Sequence, residues 1–216
     1  VAEAVARRPG RPAAAESERR LRHILDIARR MFLDQGYGAS SLEGIAAAAG
    51  VAKTTLYRHF GGKKGLFERC IDDATAGFRG QLAQMSRQPH AVGDGLLHMA
   101  RCLLDVIYLP DSISLMRLFF AESPRFPELG RAYGTHARSI LMTEMVAFLD
   151  RHAASGDLVV EDAAVAADQF HHLVMSSRYF DVLLGVAPVP DRHERAAIAA
   201  QAVRVFLSGC VKRPVP

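Results

Sequence analysis

Tryptophan is absent from this 216-residue chain, and aromatic residues make up only 7% of it. Long alanine-rich runs stand in their place, which tilts the composition towards helix. No stretch reaches the eighteen or so apolar residues that a membrane-spanning helix needs. Nor does 1-VAEAVARRPGRPAAAESERR-20 build the apolar centre of a secretory signal. Cysteine is scarce: Cys70, Cys102 and Cys210 are odd in number, far apart and without a C-x-x-C pair. That usage fits reduced thiols in a cytoplasmic protein and argues against a disulfide framework.

Signatures of catalysis are missing as well. The chain has no G-x-S-x-G, no G-x-G-x-x-G, no P-loop and no H-E-x-x-H, and 193-HERAA-197 lacks the second histidine of the last motif. His98 and Cys102 are helical neighbours, but two ligands without a third make a poor metal site. His171 and His172 would point about 100° apart on a helix and so share an ion badly. The expectation is a protein that is not an enzyme and holds no metal or cofactor.

What is present is a charge imbalance. Residues 1–70 carry thirteen Lys/Arg against seven Asp/Glu, whereas the remainder of the chain is slightly acidic, within an overall formal charge of +4. A basic N-terminal part suits either a polyanionic partner or a solvated basic face.

Apolar periodicity then divides the chain into helices. Residues 7-RRPGRP-12 read as a mobile arm, since two prolines and a glycine oppose helix. Over 17–36, Leu21, Ile24, Leu25, Ala28, Met31 and Phe32 repeat at helical spacing until Gly36. Ser40 with Glu43 reads as a capping box that opens a short alanine helix over 40–49. Gly44 within it is anomalous, costing about 1 kcal/mol relative to alanine. A third helix covers roughly 52–59 and a fourth runs from near Lys63 to 85. Helical periodicity continues over 92–108, 112–123, 128–153, 161–184 and 192–211. The expected fold is all-α, with about nine helices. It divides into a basic arm (1–16), a helix-turn-helix domain (17–68) and a larger helical domain (69–216).

The segment 53-KTTLYRHFGGKKGL-66 concentrates donors directly after the uncharged 45-IAAAAGVA-52. Two short helices joined at Gly50 make a helix-turn-helix, whose second helix enters a DNA major groove. Leu56 and Phe60, four residues apart, would anchor that helix. Lys53, Thr54, Thr55, Tyr57, Arg58 and His59 are then left facing outward. Lys53 and Arg58 suit guanine O6/N7 and the threonines several base edges, whereas Tyr57, His59 and Lys63 suit phosphate. A protein-binding helical adaptor is the alternative.

The run 36-GYGASSLEGIAAAAGVAKTTLYRHFGGKKGLF-67 resembles the DNA-binding domain of the TetR (tetracycline-repressor) family of bacterial regulators, over about residues 19–68. By position, the resemblance implies that Ser40 and Ser41 touch the DNA backbone. It places Lys53, Thr54 and Thr55 at bases, and Tyr57, His59 and Lys63 at phosphates. Ala52 stands where relatives commonly have serine, and Gly44 where a charged residue is usual. The arm resembles an AT-hook core with Pro9 in place of an arginine. Arg8 and Arg11 would then either lie in a minor groove or remain on a solvated tail.

The segment 117-RLFFAESPRFPELGRAYG-134 resembles the C-terminal domain of the AefR-like members. The resemblance implies a homodimer that binds an inverted-repeat operator in double-stranded DNA and answers to a small-molecule effector, as repressor or activator. Ala199, Ala202, Val203, Phe206 and Cys210 form one stripe of the last helix, and Phe170 and Val174 belong to a similar stripe on the helix before. They would either meet a second subunit, the reading preferred here, or complete the monomer core. An effector pocket is expected among Met99, Leu103, Met116, Phe120, Met142, Met175 and Tyr179, with Arg117, His136 and His172 as polar candidates. This lining suits a hydrophobic or amphipathic molecule.

Overall fold

The computed structural model describes residues 11–86 and 91–210. They are helical, with no strand among them, and run α1 (Arg11–Gln35), α2 (Leu42–Ala48), α3 (Lys53–Phe60), α4 (Lys63–Ser86), α5 (Val92–Ile107) and α6 (Pro110–Glu122). Then come α7 (Pro127–Ala132), a π-helical segment (Tyr133–Arg138), α8 (Ser139–Ala154), α9 (Ala163–Leu183) and α10 (Arg192–Cys210). Because α7, the π segment and α8 are continuous, the described residues form nine helical runs.

Two compact units divide the chain, Val1–Asp73 and Ala74–Pro216, and the boundary falls within α4. In the first unit, Ile24, Ala28 and Phe32 of α1 are buried together with Ile45 of α2, Leu56 of α3 and Leu66 of α4. Phe32, Tyr37 and Phe67 form an aromatic triangle with centroids 5.2–5.7 Å apart, which ties α1, its following turn and α4 together.

Helix α1 begins at Arg11, six residues before Ser17, and Arg8 and Pro9 lie outside the described residues. Pro12 does not prevent this, because the N–H it lacks near a helix start has no intrahelical partner anyway. The start of α2 also differs from expectation. Ser41, not Ser40, is the N-cap, and its hydroxyl accepts from the Gly44 amide at 3.0 Å. Ser40 is only 2% exposed, and its hydroxyl donates to the carbonyls of Gly36 (2.7 Å) and Met31 (3.1 Å). This shift also accounts for Gly44: a Cβ there would come within 3.2 Å of the capping Ser41 oxygen and 3.4 Å of the Met31 methyl.

In the second unit α5 packs against α10 and α9, and α8 against α9. Leu96, Met99 and Ala100 of α5 are fully buried there with Met145 and Leu149 of α8 and Ala199 of α10. Two caps define its last helices. Asp162 accepts from the amides of Ala164 and Val165 at the start of α9. Asp191 and Glu194 exchange reciprocal 2.8 Å bonds at the start of α10, a capping box. Helix α9 is interrupted at Ser176, whose φ of 50° and ψ of 179° belong to a region that is essentially glycine's.

Candidate DNA-reading surface and effector cavity

Helix α3 keeps Leu56 inside at 0% exposure and half-buries Phe60, which turns the opposite face to solvent. Lys53, Thr54, Tyr57, Arg58 and His59 are exposed on that face, Tyr57 at 49%, and Thr55 is half-buried at its edge. Ala52 provides no side-chain cap, while Gly61 ends the helix in the left-handed conformation at φ 72°. Gly65, on the first turn of α4, faces the end of α3 so closely that a Cβ would overlap the Phe60 carbonyl oxygen. The glycines of 61-GGKKG-65 therefore set the tight corner between the exposed helix and its support.

Internal partners hold two of the cations. Lys53 pairs with Glu43 of α2 and lies 5.5 Å from the centre of the Tyr57 ring. The Lys53 hydrogen bond holds the Glu43 carboxyl below its usual range, and the same bond raises the Lys53 ammonium. Lys63 stacks on the Tyr37 ring at 4.4 Å and donates to the Gly38 carbonyl at 3.3 Å, joining α4 to the turn before α2. Ser41 is exposed as the α2 cap. Ser40 is a correction: its buried hydroxyl serves the α1–α2 turn and presents nothing to a DNA backbone. The pairing of Glu43 with Lys53 escaped sequence reasoning because the two stand ten positions apart on different helices, outside any helical spacing.

The second unit holds a cavity of about 900 Å³. Phe119, Phe120, Tyr133, Tyr179 and Phe180 supply aromatic walls, and Met116, Met175 and Pro124 further apolar surface. Its polar lining comes from Ser123, Ser176, Ser177, Arg138, His171 and His172. Both backbone irregularities border it, since Tyr133 and Arg138 begin and end the π segment and Ser176 marks the break in α9. His171 is 7% exposed and its Nδ1 has no hydrogen-bond partner. Burial, with the charges of His172 and Arg138 adding to it, lowers its pKa to about 4, so the ring is neutral near pH 7.

Of the expected pocket residues, Met116, Phe120, His172, Met175 and Tyr179 line this cavity. The others do not. Met99 and Leu103 are core residues, and half-buried Met142 packs against that core. Arg117 instead caps the end of α9, donating to the carbonyls of Leu183 (2.8 Å) and Val182 (2.9 Å). His136 lies within the π segment without lining the cavity. Arg138 and Tyr133 went unread because a regular helix over 128–153 does not anticipate the π turns.

The family model described as "Bacterial regulatory proteins, tetR family" matches residues 24–70, and that of the "AefR-like transcriptional repressor, C-terminal domain" matches residues 94–209, more than half of the chain. The chain belongs to the TetR family. It is an all-helical DNA-binding transcriptional regulator. The HTH-type transcriptional regulator YvkB of Bacillus subtilis (strain 168) is 26% identical over 156 residues, covering 71% of this chain and 78% of YvkB. Among solved structures, the flavonoid-responsive regulator FrrA is 27% identical with a TM-score of 0.77, over 91% of this chain and all of FrrA. A TetR-family regulator from Mesorhizobium loti MAFF303099 shares the fold at a TM-score of 0.76 and 24% identity, covering 91% of this chain and 98% of its own.

Within this TetR chain, the stripes expected at a subunit interface face inward. Phe170, Val174, Ala199, Ala202, Val203 and Phe206 are all buried in the core of the second unit, where the Phe170 and Phe206 rings meet edge-on at 5.0 Å. A stripe of small and apolar residues reports that a face is covered, not what covers it. The side chain of Cys210 lies outside the described residues. The large apolar residues that α9 and α10 do expose are Val165, Leu173, Phe180 and Val205. Among the described residues no helix is long and apolar enough to cross a membrane, and no group of three metal-ligating side chains occurs.

Proposed function

We propose that the protein is a ligand-responsive dimeric repressor that binds an inverted-repeat operator in the cytoplasm and leaves it when a hydrophobic or amphipathic molecule fills the cavity. The observation carrying the DNA part of this reading is the outer face of α3. Lys53, Thr54, Tyr57, Arg58 and His59 are presented together on a helix anchored by a fully buried leucine. Lys53 and Arg58 are assigned to guanine edges, the threonines to base edges at the helix start, and Tyr57, His59 and Lys63 to phosphates.

Two-fold symmetry lets a helix of eight residues read enough sequence, with half-sites about 34–36 Å apart or multiples of that. The second copy is assigned to the exposed face of α9 and α10 around Val165, Leu173 and Val205, since the inward stripes are already occupied. FrrA, a flavonoid-responsive protein by name, supports an organic effector for the roomy aromatic cavity. Release follows if the effector prefers a state whose two α3 helices are wrongly spaced for the operator. Only that difference in affinity shifts the population.

Selection of bound duplexes from a random pool at near-physiological salt tests the reading. Enrichment of an inverted repeat is the expected result. Binding that fades with salt and enriches nothing would reduce α3 to a basic surface.

A further inference from the structure

We propose that Glu43 is a positioning residue for sequence selection: paired with Lys53 across two helices, it holds the ammonium for a guanine edge and withholds it from phosphates. This role rests on the assignment of Lys53 to guanine given above and adds what enforces it. Helix α2 carries a single charged residue, Glu43, and no other charge follows before Lys53. Ser41 is the N-cap, so Glu43 is the second residue of the helix. Gly44 takes the third, from which a capping-box carboxylate would reach back. The carboxylate crosses to α3 instead. Both side chains are exposed, Glu43 at 62% and Lys53 at 45%, and a surface pair of this kind contributes little stability. Among the described residues, Arg58, the other basic residue assigned to guanine, forms no ion pair and only approaches His59 at 3.5 Å. The acid is thus set against one cation, at the end of α3 that enters the groove.

An unpaired lysine is a flexible point charge that any phosphate satisfies. Lys53 has three ammonium hydrogens, of which Glu43 takes one and leaves two for guanine O6 and N7. The same hydrogen bond lowers the Glu43 pKa, which keeps the carboxylate charged at neutral pH. On a guanine the pair stays intact and its orientation is used. On a duplex without that base the ammonium is already neutralised, and swinging it to a phosphate would strand the carboxylate beside the polyanion. Random DNA is thereby penalised more than the operator.

The operator is first taken from duplex selection with the unmodified protein, and its affinity is then compared with that of a scrambled duplex by fluorescence anisotropy. Glu43→Gln keeps an oxygen for Lys53 but removes the charge. It should cut the operator-to-scrambled affinity ratio about fivefold, through tighter binding of the scrambled duplex. Glu43→Ala also frees the ammonium. Its ratio should fall about tenfold, with preference broadened at the base pair that Lys53→Ala broadens too. In a Lys53→Ala background, Glu43→Gln should leave the ratio within about twofold. An unchanged ratio in both variants, or the same drop without Lys53, would overturn the role. So would a new preferred base in Glu43→Gln, which would make Glu43 a direct reader. A lowered melting temperature with an unchanged ratio would leave Glu43 only a part in the helix start. A selection that enriches nothing removes the guanine assignment and this role together, whereas an enriched operator with an unchanged ratio removes this role alone.

Discussion

Gly65→Ala should reverse the usual sign of its substitution class. Inside an ordinary helix, replacing glycine by alanine stabilises by about 1 kcal/mol. At Gly65 the new methyl would overlap the Phe60 carbonyl oxygen and lie 3.2 Å from the carbonyl carbon, inside the usual 3.5–4.0 Å carbon contact. The obstacle is backbone, so it cannot turn aside as a side-chain end would. Overpacking costs about 1–3 kcal/mol, and with no side chain to yield the upper end applies. Against the helix gain, the net loss is about 2 kcal/mol. Gly77 and Gly80, further along α4, would have nothing within 4 Å of an added methyl and serve as controls. Each alanine there should stabilise by up to about 1 kcal/mol. Urea unfolding followed by helical ellipticity reads all three variants, and Gly65→Ala should lower the midpoint by about 1 M. Because the displaced element is the end of α3, DNA affinity should fall as well. A Gly65→Ala protein as stable as the parent, with the controls behaving as expected, would refute the close-approach argument.

Protonation of His171 should couple stability to pH. Its folded pKa of about 4 lies below the ordinary 6.5, so the unfolded chain takes the proton first. The contribution is complete above about pH 6.5 and is lost as pH falls towards 4, with about 2 kcal/mol gone by pH 5. Unfolding of His171→Phe at pH 7 and pH 5 should lack this component, and an identical pH slope in both proteins would refute it. Glu43→Gln should raise affinity for unrelated duplexes at low salt and steepen the salt dependence by about one counterion. Unchanged salt slopes in the two proteins would mean that Lys53 makes no use of its charge at DNA. Lys53→Ala should relax base preference in a selected pool, while Tyr57→Phe should weaken all duplexes alike. A changed consensus with Tyr57→Phe would overturn its phosphate role.

The exposed face of α3 was legible because one chemical pattern states it twice. Leu56 and Phe60 mark the inner face of α3, and the polar residues between them can only face out. Adjacent serines were harder to separate. Ser40 and Ser41 both suit a cap, and the choice depends on where the preceding turn needs donors, which Gly36 and Met31 decide. In the second unit, periodicity located the helices but not their partners. Ala199, Ala202 and Phe206 look the same whether they face α5 and α9 or another subunit. The cavity was half legible for a related reason. Methionines and aromatics at helical spacing line both a core and a pocket, and the departures that separate the two are backbone events at 133–138 and at Ser176.

Those departures bear on how the cavity can adapt to what fills it. A regular helix exchanges its amide protons slowly because each turn is braced by the next. Where the register widens, as in the π segment, or breaks, as at Ser176, that bracing is interrupted, and opening a short stretch costs less than melting the domain. The two weak points lie on different helices along the same cavity wall. The cavity wall can therefore yield by brief local fraying while the core around Met99 and Met145 stays closed.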